Sequence, residues 1–589
     1  MYNVSKQTLL MKVLCVAAFF GWGGLSVRAD DVPSPTPADS KTPVAASPQR
    51  SDNTLDVSRQ IDQLIQAKLD AAKIVPSSQT DDGEFVHRVY LDITGRIPTA
   101  EQAKKFLDST DVRKREKLID ELLDSPAFGR NLATFWHNWM VMPNQPNLRV
   151  PPDSRGLHAW LVEGFNKNRG WNEMVAELIS FEGSTSEKPE GVFYLYNGNN
   201  YARPRPNVMA ASVSRLFMGT QIHCAECHDH PFRDKWTQKD FWGMAAFFSR
   251  MVDDPGTVSE DERGHSNTGA IVHEVVEMKP PRAVDVKSGD PPFIPPPPGA
   301  AIHIPVTSFR SVGKVIPAKF LDGSTGTIPD KAPFRPALGK WITSPENKLF
   351  SQSFVNRLWA QYFGRGFVNP IDDFDESNPA SHPELLELLA KEFVASGFQP
   401  KHLVRCICNS QAYQRDSHPV AENKGDIALF SHMQLKILKP ESLYDSLSSA
   451  LELPDPVFVD DTLSSTLYTG VNEATPRDLF CYFFNTKDPA ADASEFSNGI
   501  PQALVLMNAR SVSQADADPH EDVIERLEKT NEKPDEIVED LFLGALSRRP
   551  TAQEKRRCTE YVIKRNKKPD AYRDVLWSLL NRSEFTFCR

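Results

Sequence analysis

The chain reads as a mainly α protein: two helical domains with a small β-rich or irregular, Pro-rich insertion between them. Three observations predict this. Apolar residues recur at helical spacing from Phe85 to Arg250 and again from Pro333 to Arg589. Between Met251 and Asp330 that period fails. Prolines cluster in "PPFIPPPPGAAIHIPV", Val and Ile alternate with polar residues in "AIVHEVVEM", and "LDGSTGT" reads as a turn. Finally, a capped helical pattern near the start is echoed near the end.

The elements follow in order. Lys6 and Lys12 precede a short, Gly-interrupted apolar run, and small residues follow it through Ala29. Residues 1–29 thus read as a secretory signal peptide, with an uncleaved anchor as the alternative. Residues 30–54 are Pro-, Ser-, Ala-, Thr- and Asp-rich, the composition of a disordered tether. The helical domain then runs over 55–250. It opens with Val57, Ile61, Leu64, Ile65 and Leu69 on one face of a helix. The insertion spans 251–330, and the C-terminal helical domain spans 331–589.

The echo pairs "FVHRVYLDITGRIPTAEQAKKFL" with "IVEDLFLGALSRRPTAQEKRRC". Each is an apolar helix, an Arg, a Pro-Thr and a second helix, with capping boxes expected at Thr99/Gln102 and Thr551/Glu554. Either a helical unit was duplicated or capped hairpins converged on one pattern. A further capping box is expected at Ser381/Glu384, with Pro383 in the first turn and Gly397 closing the helix.

Composition excludes some functions. A formal charge of −11, spread without long runs, argues against a nucleic-acid partner. No stretch after the leader is long and apolar enough for a transmembrane anchor. Eight cysteines, one of them (Cys15) inside the leader, are too few for a disulfide-dense scaffold. No nucleophile elbow, P-loop, dinucleotide fingerprint or H-E-x-x-H occurs.

One stretch carries chemistry: "HCAECHDHPFRDKW", from His223 to Trp236. Cys224, Cys227 and His228 form C-x-x-C-H, the attachment pattern for haem c. Two thiols add to the haem vinyl groups, and the adjacent His228 is placed under the iron. Export suits this, since attachment happens outside the cytoplasm. The second axial ligand is not evident; Met218, Met244, Met251 and His273 are near in sequence only. Two alternatives stay open. His223, Cys224, Cys227, His228, His230 and Asp234 offer ligands to zinc, and in an oxidising compartment the two cysteines can close a disulfide. Downstream, a helix capped by Thr237 puts Phe241, Ala245 and Phe248 on one face, a core pattern.

Two weaker features accompany it. Asp372, Asp373, Asp375 and Glu376 crowd a loop, without the glycine and terminal glutamate of an EF-hand, and read as ordinary helix-preceding acids. "YNGNNYARPRP" (196–206) mixes aromatic, Asn and Arg residues, as a sugar or anion loop does, or as plain loop.

The stretches "FVHRVYLDITGRIPTAEQAKKFLDS", "HCAECHDHPFRDKWTQKDFWGMAAFF", "NKLFSQSFVNRLWAQYFGRGFVNPIDDFDESNPASHPELLELLAKEF" and "GIPQALVLMNA" resemble the secreted planctomycete-type cytochrome-associated proteins. That family pairs two domains of unknown function, one in each half, and the resemblance runs from about Phe85 to the end. Longer relatives add an N-terminal cytochrome c domain; here the tether and one helix stand in its place. The resemblance implies partnership with exported sulfatase-like or other envelope proteins.

The expectation is therefore a periplasmic, secreted or cell-surface protein, working as a c-type haem electron-transfer or redox partner. The alternative is a non-catalytic envelope scaffold or carbohydrate-associated binding protein whose C-x-x-C-H stretch is a disulfide or zinc site. A third reading is a metal-dependent hydrolase using His228, His230 and Asp234.

Overall fold

The computed structural model describes residues 53–141, 154–198, 205–230, 235–255, 259–260, 266–267, 270–274, 297–304, 313–326, 328, 332–452, 477, 480–481, 523–529 and 533–589. The expected signal peptide and nearly all of the tether lie outside them. The fold is mainly α, and no helix among the described residues is long and apolar enough to cross a membrane.

The first helix, α1 (Thr54–Ala72), buries Val57, Ile61, Ile65 and Leu69, each four residues apart. Its partners come from far along the chain: α13 (Pro383–Ala395) and α14 (Pro400–Cys408), with Ser58 Oγ donating to Cys406 O at 2.8 Å. Next, α2 (Asp82–Thr94) is buried on every side from Gly83 onward, its start capped by Asp81 accepting from Glu84 N. A helix with no solvent face must satisfy its own polar groups, and Glu84, His87, Arg88 and Asp92 do so against distant segments. Then follow α3 (Ala100–Asp108), α4 (Lys114–Asp124), α5 (Pro126–Met140), α6 (Arg155–Asn166), α7 (Trp171–Ile179), α8 (Val192–Gly198), α9 (Pro206–Met218) and α10 (Gln238–Ala245).

The β-rich insertion falls between the helical stretches. β2 (Met251–Pro255) pairs antiparallel with β5 (Ala270–Glu274), and Asp253 faces Val272. β5 also pairs with β1 (Gly183–Ser184), so the sheet borrows a strand from the first helical stretch. Two small hairpins are formed by β3 (Ser259–Glu260) with β4 (Ser266–Asn267), and by β6 (Ala301–His303) with β7 (Val315–Pro317). The expected turn is present: Gly323, at φ +88°, donates its N–H to Phe320 O. Most of the Pro-rich run lies outside the described residues.

Helices resume with α11 (Arg335–Ile342), α12 (Lys348–Phe363), α13 and α14. After them come β8 (Lys436–Ile437), α15 (Pro440–Leu451), α16 (Val523–Lys529), α17 (Pro534–Leu546), α18 (Ala552–Lys564), α19 (Pro569–Leu580), α20 (Ser583–Thr586) and β9 (Phe587–Cys588). The capping boxes at Thr99/Gln102 and Thr551/Glu554 are both formed. The two echoed hairpins share a further feature. Gly95 and Ser547, at the same place in each, take left-handed backbone at φ +77° and +57°. The echoed units also touch, because α17 packs on α3.

The Ser381/Glu384 capping box does not form. Pro383 occupies the first helical position and His382 stands as N-cap, with no side-chain cap bond. Ser381 is one residue too early, and its hydroxyl lies 3.0 Å from His382 Nδ1. The C-terminal end is as expected. Gly397 at φ +73° lets Gly397 N reach Val394 O and Phe398 N reach Phe393 O, a Schellman closure.

Two cores result. The larger draws from Val57 through Met433, so α1 to α14 share one interior. The smaller gathers Leu91 and Ile97 with residues from Leu438 to Cys588. Helix α2 belongs to both, with Phe85, Val86, Val89, Tyr90 and Ile93 facing the first and Leu91 the second.

Candidate functional site

Helix α9 ends at Gly219, whose φ of +62° turns the chain sharply back so that Thr220 N reaches Ser214 O. Ile222 and Ala225 are then buried as anchors of a 3₁₀ turn over His223–Glu226. With those two inward, Cys224, Cys227 and His228 are left exposed. The turn is tied down from α10. Trp242 Nε1 donates to Glu226 O at 3.0 Å, and Gln238 Nε2 donates to Glu226 O and Cys227 O, each at 3.1 Å. Gln238 N in turn donates to Asp229 Oδ1 at 2.8 Å. Helix α10 is itself positioned by a capping box between Thr237 and Asp240, and Lys319 Nζ reaches Asp240 Oδ1 at 2.9 Å.

Neither thiol is bridged; Cys224 and Cys227 are free. His228 Nδ1 lies 2.6 Å from Asp229 O. A carbonyl only accepts, so Nδ1 carries the proton and Nε2 presents its lone pair, with no hydrogen bond among the described residues. His223 is differently engaged. Its Nε2 meets Glu226 Oε2 at 3.3 Å, and this bond raises the His223 pKa and lowers that of Glu226. Asn207 Nδ2 holds the other Glu226 oxygen at 2.9 Å. His230 N donates to Trp236 O at 2.9 Å, while Asp234 lies outside the described residues.

Among the described residues, no three of His223, Cys224, Cys227, His228 and His230 bring ligand atoms within 4.8 Å of one another, and Asp234, the remaining zinc candidate, lies outside them. For haem c the fit is better. Two accessible thiols and an adjacent imidazole with Nε2 uncommitted are the donor set that attachment requires. The sequence-adjacent distal ligands fare less well. Met218, Met244 and Met251 are buried in the larger core, and His273 sits on β5 opposite Val252. Phe241, Ala245 and Phe248 are likewise fully buried core.

The acidic loop joins this site. Phe374 N donates to Gly219 O at 2.9 Å, and Gln221 Nε2 donates to Asp372 Oδ1 at 2.8 Å. Asp372 is buried and faces Arg215 on α9 at 3.4 Å. Asp375 instead caps the local turn through Ser377 N, and no cluster of metal-ligand atoms forms in this loop among the described residues. Of the 196–206 stretch, only Tyr196–Gly198, Arg205 and Pro206 are described.

Among the described residues, the one set of three metal-ligating types that does converge is Glu84, Asp416 and His418. Structural bonds already occupy it. Glu84 pairs with Arg88 and accepts Ser417 N, and Asp416 accepts both His418 N and Nδ1. Sequence reading missed Gln221, Gln238, Asn207 and Trp242 as supports of the turn. Gln221, Gln238 and Trp242 had a signal, being close to the motif in sequence; Asn207 had none.

The fold and site define a mainly α protein with a surface-exposed C-x-x-C-H turn braced by a second segment from the far half of the chain. Residues 60–253 match the family described as PSCyt2, a protein of unknown function (DUF1549), and residues 334–562 match PSD1, a protein of unknown function (DUF1553). The chain belongs to the proteins that pair these two domains of unknown function. No curated protein matches it. No solved structure matches it.

Proposed function

We propose that the protein is an exported envelope protein that carries haem c on Cys224 and Cys227 and serves as an electron-transfer or redox partner. The observation that carries this reading is the state of the turn: both thiols exposed and unbridged, with His228 Nδ1 committed to Asp229 O. Cys224 and Cys227 are the thioether anchors, and His228 Nε2 is the proximal donor. Once attached, the group supplies a one-electron couple tuned by its axial ligands and exposure. The chain's own part is to hold the geometry. Gln238 and Trp242 fix the backbone carbonyls between the anchors, and Asp229 fixes the imidazole tautomer. Its partners are other exported envelope proteins, sulfatase-like ones among them, as the family resemblance implies.

The test is a visible spectrum of protein made in a host competent for cytochrome c maturation, with a haem stain of the denaturing gel. A Soret band and a stained protein band are expected. A colourless, unstained protein from that host overturns the reading, and bound zinc and thiol titre then decide between the metal and scaffold alternatives.

A further inference from the structure

Where the start of α2 meets the chain beyond α14, Glu84, Asp416 and His418 each bring one ligand atom within 4.8 Å of the others. Asp416 and His418 are two residues apart, and Ser417 between them is buried. This segment is held from several sides. Asp416 N donates to Ser78 O at 2.8 Å, Met433 N donates to Asp416 O at 3.2 Å, and Ser77 Oγ donates to His418 O at 2.9 Å. Ser417 N donates to Glu84 Oε1 at 2.9 Å, which ties the segment to α2.

Those structural bonds use one oxygen of each carboxylate. Glu84 is only 7% exposed, yet Arg88 and Ser417 N both take its Oε1 and leave Oε2 without a hydrogen bond among the described residues. That oxygen still touches solvent. His418 N and Nδ1 likewise share Asp416 Oδ1 and leave Oδ2 unbonded. With Nδ1 donating at 2.8 Å, the neutral ring presents its lone pair on Nε2. A largely buried carboxylate oxygen with no donor costs free energy unless a cation or water meets it. Arg88 offsets one of the two carboxylates, so the cluster keeps one negative charge. Carboxylate oxygens and an imidazole nitrogen together suit a divalent transition-metal ion, and a carboxylate that fixes the imidazole tautomer is how such ligands are oriented.

We infer that Glu84, Asp416 and His418 form a binding site for one divalent transition-metal ion, zinc or manganese(II), which clips the start of α2 to the segment beyond α14. The His418 side chain is 78% exposed, so the ion enters from solvent and water completes its coordination. The inference is independent of what occupies Cys224 and Cys227.

Calorimetric titration tests it on the full chain carrying Cys224→Ser/Cys227→Ser, so that the thiols of the C-x-x-C-H turn do not compete. Zinc chloride and manganese(II) chloride are each titrated into metal-free buffer. Saturable binding of at least one ion is expected, with a matching rise in melting temperature, and the tighter of the two identifies the metal. In the same background His418→Ala, at an exposed side chain, is expected to leave the metal-free melting temperature unchanged and to weaken binding by about tenfold or more. Asp416→Asn keeps an acceptor for His418 N but removes the charge, and a similar loss is expected. No saturable binding of either ion, or an affinity unchanged in His418→Ala, overturns the site.

Discussion

Cysteine environment separates the thiols more sharply than cysteine spacing does. Cys224 and Cys227 are exposed, whereas Cys406, Cys408 and Cys588 are buried and burial drives their pKa upward. The thiolate is the reactive form, so alkylation of the folded apoprotein at pH 8 is expected to label Cys224 and Cys227 first. Peptide mass mapping should find Cys406, Cys408 and Cys588 unmodified until denaturant is added; prompt labelling of all three would refute the packing. Two histidines make a pH argument at the same scale. His87 sits between Ser547 and the Phe587 carbonyl, and His382 is buried beside Phe430. Burial, aided by Arg589 for His87 and by Lys68 for His382, holds both near pKa 4 against an ordinary 6.5. Between those values the unfolded chain takes up protons that the folded chain refuses, so stability falls as pH drops through that window. The loss is on the order of 3 kcal/mol per ring by pH 4. Urea midpoints at pH 7 and pH 4.5 check it, and His87→Gln should flatten the difference.

At the scale of the element, the turn after α9 depends on one backbone conformation. A Cβ at Gly219 would meet Phe374 Cδ2 at 2.7 Å and Ser353 Oγ at 3.0 Å, in addition to the strain of φ +62°. Gly219→Ala is therefore expected to destabilise by about 1–3 kcal/mol. It should also loosen the acidic loop from the C-x-x-C-H turn, seen as faster amide exchange at Phe374. An unchanged melting temperature and unchanged exchange would contradict this account. Local signals made many elements legible beforehand. The stripe of α1, the boxes at Thr99 and Thr551, the Thr237 cap and the Gly397 stop all act within a few residues of themselves. Ser381 misled because Pro383 and the His382 backbone, not a hydroxyl, set where α13 begins. The C-x-x-C-H motif was equally plain, but nothing near it in sequence announces that Asp372 and Phe374 brace it. Contacts across some 150 residues leave no local period.

For the whole molecule, α2 is where the two cores meet. Asp92 accepts from Lys436 Nζ at 2.5 Å and from the Tyr413 hydroxyl at 2.8 Å, while Arg88 donates to Tyr413 O and Arg589 O. β9 then pairs Cys588 with Lys436 in β8. A buried pair broken on one side leaves a charge uncompensated, so Lys436→Met is expected to cost about 3–5 kcal/mol. The double variant Asp92→Asn/Lys436→Met should recover a substantial part of that, by denaturant unfolding; no recovery would deny the pair its role. Read in sequence as an apolar helix, α2 carries this polar centre unannounced. Its polar residues face protein, not water, and only the fold supplies their partners.

The central claim, that the exposed turn is a haem attachment site, is tested most directly by intact mass. The wild-type chain and a Cys224→Ser/Cys227→Ser variant are each purified from a maturation-competent host. The account expects the wild type to exceed its polypeptide mass by one haem, with Cys224 and Cys227 no longer alkylated, and the variant to carry polypeptide mass alone. A wild type at bare polypeptide mass, with both thiols still open to alkylation, would contradict it.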